Sequence, residues 1–268
     1  MPFISFLSDY GTADEFVGVC KAVILGIAPG AQIVDLTHEI PPHDVRAGAL
    51  ALVRTSQYQP EGAIVLAVVD PGVGTDRRLV AADVGRAVFL GPDNGLLAPA
   101  VAMLGGAIRV VSLTNSEYQL PAPGPTFAGR DVLAPAAGYL ATGEPLAALG
   151  ELVDPASLVP GLVPLPSAEG DAIAGEVWWV DRFGNCQLNI DPQELAAAGA
   201  GPGSTLVVRA GDSTRAARWV HTYADARPSE LVVIVDSYGL ASLALDRESA
   251  ADALGLRAGS AVTIVPPG

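Results

Sequence analysis

The sequence predicts an α/β N-terminal domain with a mostly parallel sheet, followed by an all-β, barrel-like C-terminal domain. Three observations carry this. Up to about residue 150, short apolar runs alternate with helical patterns at the spacing of strand–helix–strand units. Beyond it the pattern changes to short β-rich runs punctuated by Gly, Asp and Asn. Between the two lies a proline-rich stretch of little periodicity, Val153 to Gly170, which reads as a linker. The expected organisation is therefore residues 1–152, a linker over 153–170, and 171–268.

Phe3 to Leu7 reads as the first strand. Thr12-Ala-Asp-Glu15 has the spacing of a capping box and opens an amphipathic helix ending near Ala28-Pro-Gly30. Gln32 to Leu36 is the next strand and Val45 to Tyr58 the next helix. Ala63 to Val69, Leu79 to Asp83 and Ala87 to Leu90 follow as strands. Gly91-Pro-Asp-Asn-Gly95 is a turn signal ahead of a helix over Leu96 to Leu104. Ile108 to Leu113 reads as a strand and Gly129 to Thr142 as a helix. After the linker the expected strands are 174–180, 186–190, 205–209, 218–222, 231–235, 241–245 and 261–265, with one short helix over Arg247 to Leu254. Together they fit a small antiparallel barrel or sandwich.

Composition narrows the function. Half of the 268 residues are hydrophobic and 16% are charged, as in a compact globular protein. Net charge is −14, and no basic cluster exceeds the pair Arg77-Arg78, so the basic stripe that nucleic acid requires is missing. Cys20 and Cys186 lie far apart without metal-type spacing. The start, Met-Pro-Phe-Ile-Ser-Phe, lacks the basic region of a signal peptide, and no apolar run reaches the roughly 18 residues of a spanning helix. The expectation is a cytoplasmic protein with neither membrane nor nucleic acid as partner.

Five polar, glycine-containing segments interrupt the apolar sequence: Ser8-Asp-Tyr-Gly-Thr-Ala-Asp14, Asp70-Pro-Gly-Val-Gly-Thr-Asp-Arg77, Gly91-Pro-Asp-Asn-Gly95, Thr126-Phe-Ala-Gly-Arg-Asp131 and Asp181-Arg-Phe-Gly-Asn185. Three of the first four sit where an expected strand hands over to a loop or helix. In an open parallel sheet such ends converge on one edge, the usual ligand crevice. In the second segment a buried strand runs into Asp70, then a Pro-Gly-x-Gly turn, then two arginines. The bland reading of that segment is a surface turn with an incidental ion pair. Which of Arg77 and Arg78 points inward stays open.

In this order and spacing the segments resemble the S-adenosyl-L-methionine hydroxide adenosyltransferases, relatives of the nucleophilic fluorinase and chlorinase. The resemblance covers nearly the whole chain, from Ser5-Phe-Leu-Ser-Asp-Tyr-Gly11 to the closing β segments. It implies hydrolysis of S-adenosyl-L-methionine to adenosine and methionine, by attack of water or hydroxide on the ribose 5′ carbon, with no cofactor. It also implies a homotrimer whose sites lie between the N-terminal domain of one subunit and the C-terminal domain of its neighbour. Asp9 matches the family's ribose-binding position and Asp14 a contact to the methionine end. Phe183 and Asn185 match adenine contacts, Asp181 a methionine-amine contact, and Ser237 the segment that meets the methionine carboxylate. His43 matches a pocket-wall position, and Asn94 and Phe127 stand in the matching segments. Of the family's Asp–Arg–His trio that activates the nucleophile, Asp70 and Arg77 fit the first two. The third falls at Ala128, a departure from the pattern.

The chemistry asks little of an acid, because the leaving group is a neutral thioether departing from a sulfonium. The demand is on the nucleophile, since bulk water has a pKa near 15.7. Arg77 favours incipient hydroxide, and Asp70 orients the Arg and accepts a hydrogen bond from the water. With Ala at position 128 the turnover expected is weaker. Ala128 reads either as an inactivating substitution or as a natural divergence in which another group or water fills the gap. A carboxylate at position 70 repels a halide, and the short run from Thr75 to Gly91 leaves no room for the fluorinase insertion, so the hydrolase branch is favoured over a halogenase.

Each residue has a duller reading. Asp9 and Asp14 are turn and helix-start types, and Asn94 in Asp-Asn-Gly is a turn former. His38 and His43 with Asp9, Asp14, Asp35 and Asp44 could suggest a metal-dependent phosphoesterase, but no pair has ligand spacing, so no metal is expected. A methyltransferase would need a Gly-x-Gly-x-Gly turn after the first strand, which Ser8-Asp-Tyr-Gly11 does not supply. The remaining rival is a non-catalytic S-adenosylmethionine or adenosine binder, made plausible by Ala128.

Overall fold

The side chains of Ile4, Ser5, Phe6 and Leu7 are fully buried, and a strand buried on both faces needs a sheet covered on both sides. The structure, a computed structural model describing residues 1–267, provides one. It divides into two units, Met1–Val163 and a second beginning at Pro164. Gly268, which the sequence assigns to the second domain, lies outside the described residues.

The first unit contains β1 (Phe3–Ser8), α1 (Phe16–Ile27), β2 (Gln32–Thr37), α2 (Val45–Ser56), β3 (Ala63–Val68) and β4 (Leu79–Asp83). It continues with β5 (Ala87–Pro92), α3 (Ala98–Met103), β6 (Arg109–Ser112), α4 (Ala134–Thr142) and β7 (Glu151–Val153). The seven strands form one sheet in the order β2-β1-β3-β5-β4-β6-β7. β2, β1, β3 and β5 run parallel, and β4, β6 and β7 extend the sheet antiparallel. Alternate residues along β1 and β3 feed two cores. Ile4, Phe6, Leu66 and Val68 pack with Val17, Cys20 and Ile24 of α1 and with α4 on one face. Leu7, Val65 and Ala67 pack with Leu52 of α2 and with α3 on the other.

The connection leaving β1 turns toward β2, whereas the one leaving β3 turns toward β5 and β4. The loops at the C-terminal ends of β1 and β3 therefore diverge, and such a switch point opens a crevice at the sheet edge.

Several elements depart from the sequence expectation for local reasons. α1 begins at Phe16 and the Thr12 capping box does not form. Gly11 adopts φ +66° and donates its N–H to the His38 carbonyl, and Thr12 Oγ1 donates to Glu39, so this stretch is committed to the neighbouring loop. The helix expected from Gly129 opens with a π-helical turn, Gly129–Leu133, and becomes α-helical only at Ala134. The expected linker contains a 3-10 turn, Pro155–Ser157, pinned by a buried clamp. Arg78 donates to the Asp93 carboxylate through Nε and Nη2 and to Ser157 through Nη1 and Nη2, while Asp93 also accepts the Val159 N–H. The Asp93 side chain is 3% exposed. Asp93→Ala strips a buried acceptor from a guanidinium and a backbone N–H, so a thermal melt is expected to report a loss of about 2 kcal/mol.

The second unit contains β8 (Ser167–Glu169), β9 (Ala172–Val180), β10 (Cys186–Leu188), α5 (Pro192–Ala197) and β11 (Thr205–Ala210). β12 (Ser213–Trp219), β13 (Val232–Val235), β14 (Ala241–Ala244), α6 (Ala250–Leu254) and β15 (Ala261–Val265) complete it. The ring β10-β14-β13-β12-β11-β15-β9 closes through the β9–β10 pairing, so this is a barrel, with β8 added outside β9. The strand expected over 218–222 instead spans Ser213–Trp219. Gly211-Asp212 forms a two-residue hairpin turn, Ala210 pairs with Ser213, and this fixes the register of β12. A second helix joins the one expected: Asp191 and Glu194 form a reciprocal capping box around Pro192 and start α5.

Candidate active site

β3 ends at Val68, and two residues later Asp70 stands at the sheet edge beside Asp9, which follows β1. The Asp9 N–H donates to the Val68 carbonyl at 3.3 Å, so the two strand ends are tied together at the switch point. Asp9 Oδ2 accepts the His43 N–H at 2.9 Å, which brings in the loop ahead of α2. His43 holds φ +68°, a left-handed conformation that costs a non-glycine residue energy and that the surrounding hydrogen bonds must maintain.

Behind this edge a chain of polar groups fixes the turn carrying Asp9. Lys21 Nζ reaches Asp35 at 2.6 Å, His38 Nε2 lies 3.1 Å from Asp35, and His38 Nδ1 lies 2.7 Å from Ser8 Oγ, which accepts the Tyr10 N–H. Partial burial works against ionised Asp35, but hydrogen bonds from Lys21 and His38 hold its carboxyl below the ordinary value. His38 thus serves the turn. Among the described residues no group of three or more His, Cys, Asp or Glu side chains is arranged to hold a metal ion.

A cavity of about 570 Å³ opens over these strand ends. Of the residues the sequence singled out, Asp9, His43, Asp70, Phe127 and Ala128 line it. That volume lies in the range of small-molecule sites. Arg77 grips Asp70 from the side. Its Nε donates to the two carboxylate oxygens at 2.9 and 3.0 Å, and its Nη2 bonds Oδ2. The side chains are 6% and 15% exposed, so this is a buried fork rather than a loose surface pair. Arg78 turns away to Asp93, so Arg77 is the arginine paired with Asp70, and neither is among the residues that line the cavity. A carboxylate offers about four lone-pair positions, and Arg77 leaves Oδ1 able to accept another hydrogen bond. Ala128, at the N-cap of the π-turn, gives the same cavity wall only a methyl group.

Asp14 is exposed and stands outside the cavity lining. Asn94 braces the site from behind: its Nδ2 donates to the Val69 carbonyl at 2.9 Å and its Oδ1 accepts the Leu96 N–H. The sequence did not single out Tyr10, Phe16 or Arg130 as cavity residues, though all three line it. Tyr10 and Arg130 lie inside two of the polar segments. Phe16 carries no such signal, being the first residue of an amphipathic helix.

In the second unit Asp181 organises its own loop. Oδ1 accepts the N–H groups of Phe183 and Asn185 at 2.8 and 2.9 Å, and Oδ2 accepts Asn185 Nδ2 at 2.8 Å. This loop leaves Phe183 77% exposed, more than any other Phe, Tyr or Trp of the described residues. Asp181, Phe183 and Asn185 line a cavity of about 470 Å³ with Tyr223, and Asp181, Asn185 and Ser237 line an adjoining one of about 290 Å³ with Trp179 and Tyr238. Tyr223 and Trp179 are the aromatic walls that the motif reading missed.

Comparison with known proteins points one way. Residues 4–150 match the family model of the SAM hydroxide adenosyltransferase N-terminal domain, and residues 175–263 match that of the C-terminal domain. The chain is 44% identical, over 98% of its length and 97% of the relative's, to a protein of Salinispora tropica named (R)-S-adenosyl-L-methionine hydrolase. It is 31% identical, over 98% of its length and 97% of the relative's, to a fluorinase of an Actinoplanes species. Its fold matches the crystal structure of an uncharacterized conserved protein from Thermotoga maritima with a TM-score of 0.92 at 33% identity, covering 97% of this chain and 99% of that one.

Proposed function

The chain belongs to the SAM hydroxide adenosyltransferase family, and on that premise we propose that it hydrolyses S-adenosyl-L-methionine to adenosine and L-methionine. The observation that carries the reading is the buried Asp70–Arg77 fork at the edge of a nucleoside-sized cavity, at the switch point of the sheet. Water attacks the ribose 5′ carbon while the carbon–sulfur bond breaks and its electron pair returns to sulfur. The sulfonium becomes a neutral thioether, so no acid is needed on the leaving side. Asp70 accepts a hydrogen bond from the water, and Arg77 fixes the carboxylate and lowers the energy of the hydroxide character that develops. A water held in line with the breaking bond also gains a proximity advantage.

Within this reading Asp9 binds the ribose hydroxyls, with His43 and Phe127 as pocket walls and Asn94 holding the strand end. Asp14, Asp181, Phe183, Asn185 and Ser237 contact the methionine and adenine parts. The exposed Phe183 supports that assignment, since an aromatic face left in solvent is suited to stacking on a base. Such a division of labour fits a homotrimer in which one subunit's first unit and a neighbour's second unit complete each site. The protein works in the cytoplasm, with no nucleic-acid or membrane partner; among the described residues no helix is long and apolar enough to cross a bilayer.

One observation favours a second reading, a non-catalytic S-adenosylmethionine binder: position 128 carries no polar group. Incubation with S-adenosyl-L-methionine and chromatography separates the two. Adenosine and methionine appearing in equal amounts is the expected result. Tight binding without adenosine would leave only the binder.

A further inference from the structure

The Tyr10 side chain is the strongest unexplained polar feature of the cavity. Its ring lines the cavity and is held by Phe16, at 5.6 Å between ring centres, and by Phe127, edge-on at 5.8 Å. Its hydroxyl rests against Gly129, the residue after Ala128. A Cβ at position 129 would fall 2.2 Å from that oxygen, so the glycine makes the space in which the hydroxyl sits. The Tyr10 N–H donates to Ser8 Oγ at 3.3 Å, and the hydroxyl is not one of the fully buried, unpartnered polar atoms of the described residues, so it stays open to water. Burial raises the Tyr10 phenol above its ordinary value, and Cys20, Asp9, Asp70 and Asp131 add to the shift, so it keeps its proton and remains a donor.

We propose that Tyr10 is a catalytic residue whose hydroxyl donates a hydrogen bond to the oxygen of the attacking water, while Asp70 accepts one from its hydrogen. The inference rests on the hydrolase reading and deepens it. Two anchors of opposite kind fix a water's orientation, whereas Asp70 alone leaves it free to turn about one hydrogen bond. Position 128 supplies no donor on this wall, and the phenol beside it does. In the step itself the water oxygen bonds to the 5′ carbon as the carbon–sulfur pair leaves with sulfur. The surplus proton of the water passes by way of Asp70 to solvent, and Tyr10 keeps its own proton throughout.

Tyr10→Phe keeps the ring and its aromatic contacts and removes only the hydroxyl. Adenosine release at saturating S-adenosyl-L-methionine is expected to fall by about 10–100-fold, the scale of losing one aimed donor, with KM and the melting temperature nearly unchanged. An unchanged kcat, or a change confined to KM, overturns the assignment. Replacing Tyr10 by 3,5-difluorotyrosine gives an independent reading, because its more acidic phenol is expected to introduce an alkaline loss of activity at a pH where the unaltered protein, with its phenol raised by burial, still works. A profile that does not move counts against the donor role. Ala128→His is measured alongside. If it releases adenosine while Tyr10→Phe leaves kcat intact, hydrolysis stands and the Tyr10 role falls. If no variant, and not the unaltered protein, releases adenosine, both fall.

Discussion

Ala128→His is expected to raise the turnover of S-adenosyl-L-methionine by about 10²–10⁴-fold, the contribution typical of a positioned acid–base group. Ala128 lies in the same cavity wall as Asp70, its side chain is a single methyl, and a cavity of about 570 Å³ has room for an imidazole. An imidazole there gives the attacking water a third polar partner and a second route for its proton. The gain is expected in kcat, because Asp9 and Phe127, the cavity residues proposed to hold the substrate in its ground state, are untouched; KM then changes little. Chromatographic measurement of adenosine at saturating substrate checks it. Equal rates in the two proteins would mean that another group already does this work, and Tyr10 is the group in place to do it.

How much of this was legible beforehand depends on the range of the interaction. The strand ends bearing Asp9 and Asp70 were readable because a buried parallel strand announces itself as an unbroken apolar run, and a carboxylate at its end is conspicuous. The Asp70–Arg77 partnership was what the family resemblance implied, but the choice between Arg77 and Arg78 was left open. It depends on Asp93 and Ser157, and Ser157 is 79 residues away in sequence. Ser8, His38, Asp35 and Lys21 were invisible as a unit for the same reason: they meet only after β1, β2 and α1 pack. In the barrel the displaced strand and the missed helix were errors of local chemistry, since Gly211-Asp212 and Asp191-Pro-Gln-Glu194 both carry their turn and cap signals openly. Tyr10 stood within a recognised segment, yet nothing short of the fold could show that Gly129 leaves space for its hydroxyl.

Asp70→Asn tests the fork itself, and two losses are expected from one substitution. The first is chemical. An amide has no negative charge to hold Arg77 or to take up the proton of the attacking water, so turnover falls by about 10²–10⁴-fold. The second is structural. Removing the charge of Asp70, whose side chain is 6% exposed, leaves a mostly buried guanidinium without its counter-charge. Breaking such a pair costs about 3–5 kcal/mol, which for a chain of this size lowers the melting temperature by roughly 6–15 °C. The two effects separate in the double variant Asp70→Leu with Arg77→Met. Apolar replacement of both partners removes the stranded charge, so most of the stability returns, since an ion pair exchanged whole for packed hydrophobic groups is close to neutral. Activity does not return, because neither an acceptor for the water nor a cation for developing hydroxide remains. A double variant that recovers stability and stays inactive assigns the pair to catalysis. If Asp70→Asn melts lower but hydrolyses S-adenosyl-L-methionine at the unaltered rate, the fork is structural and the nucleophile must be activated elsewhere in the cavity.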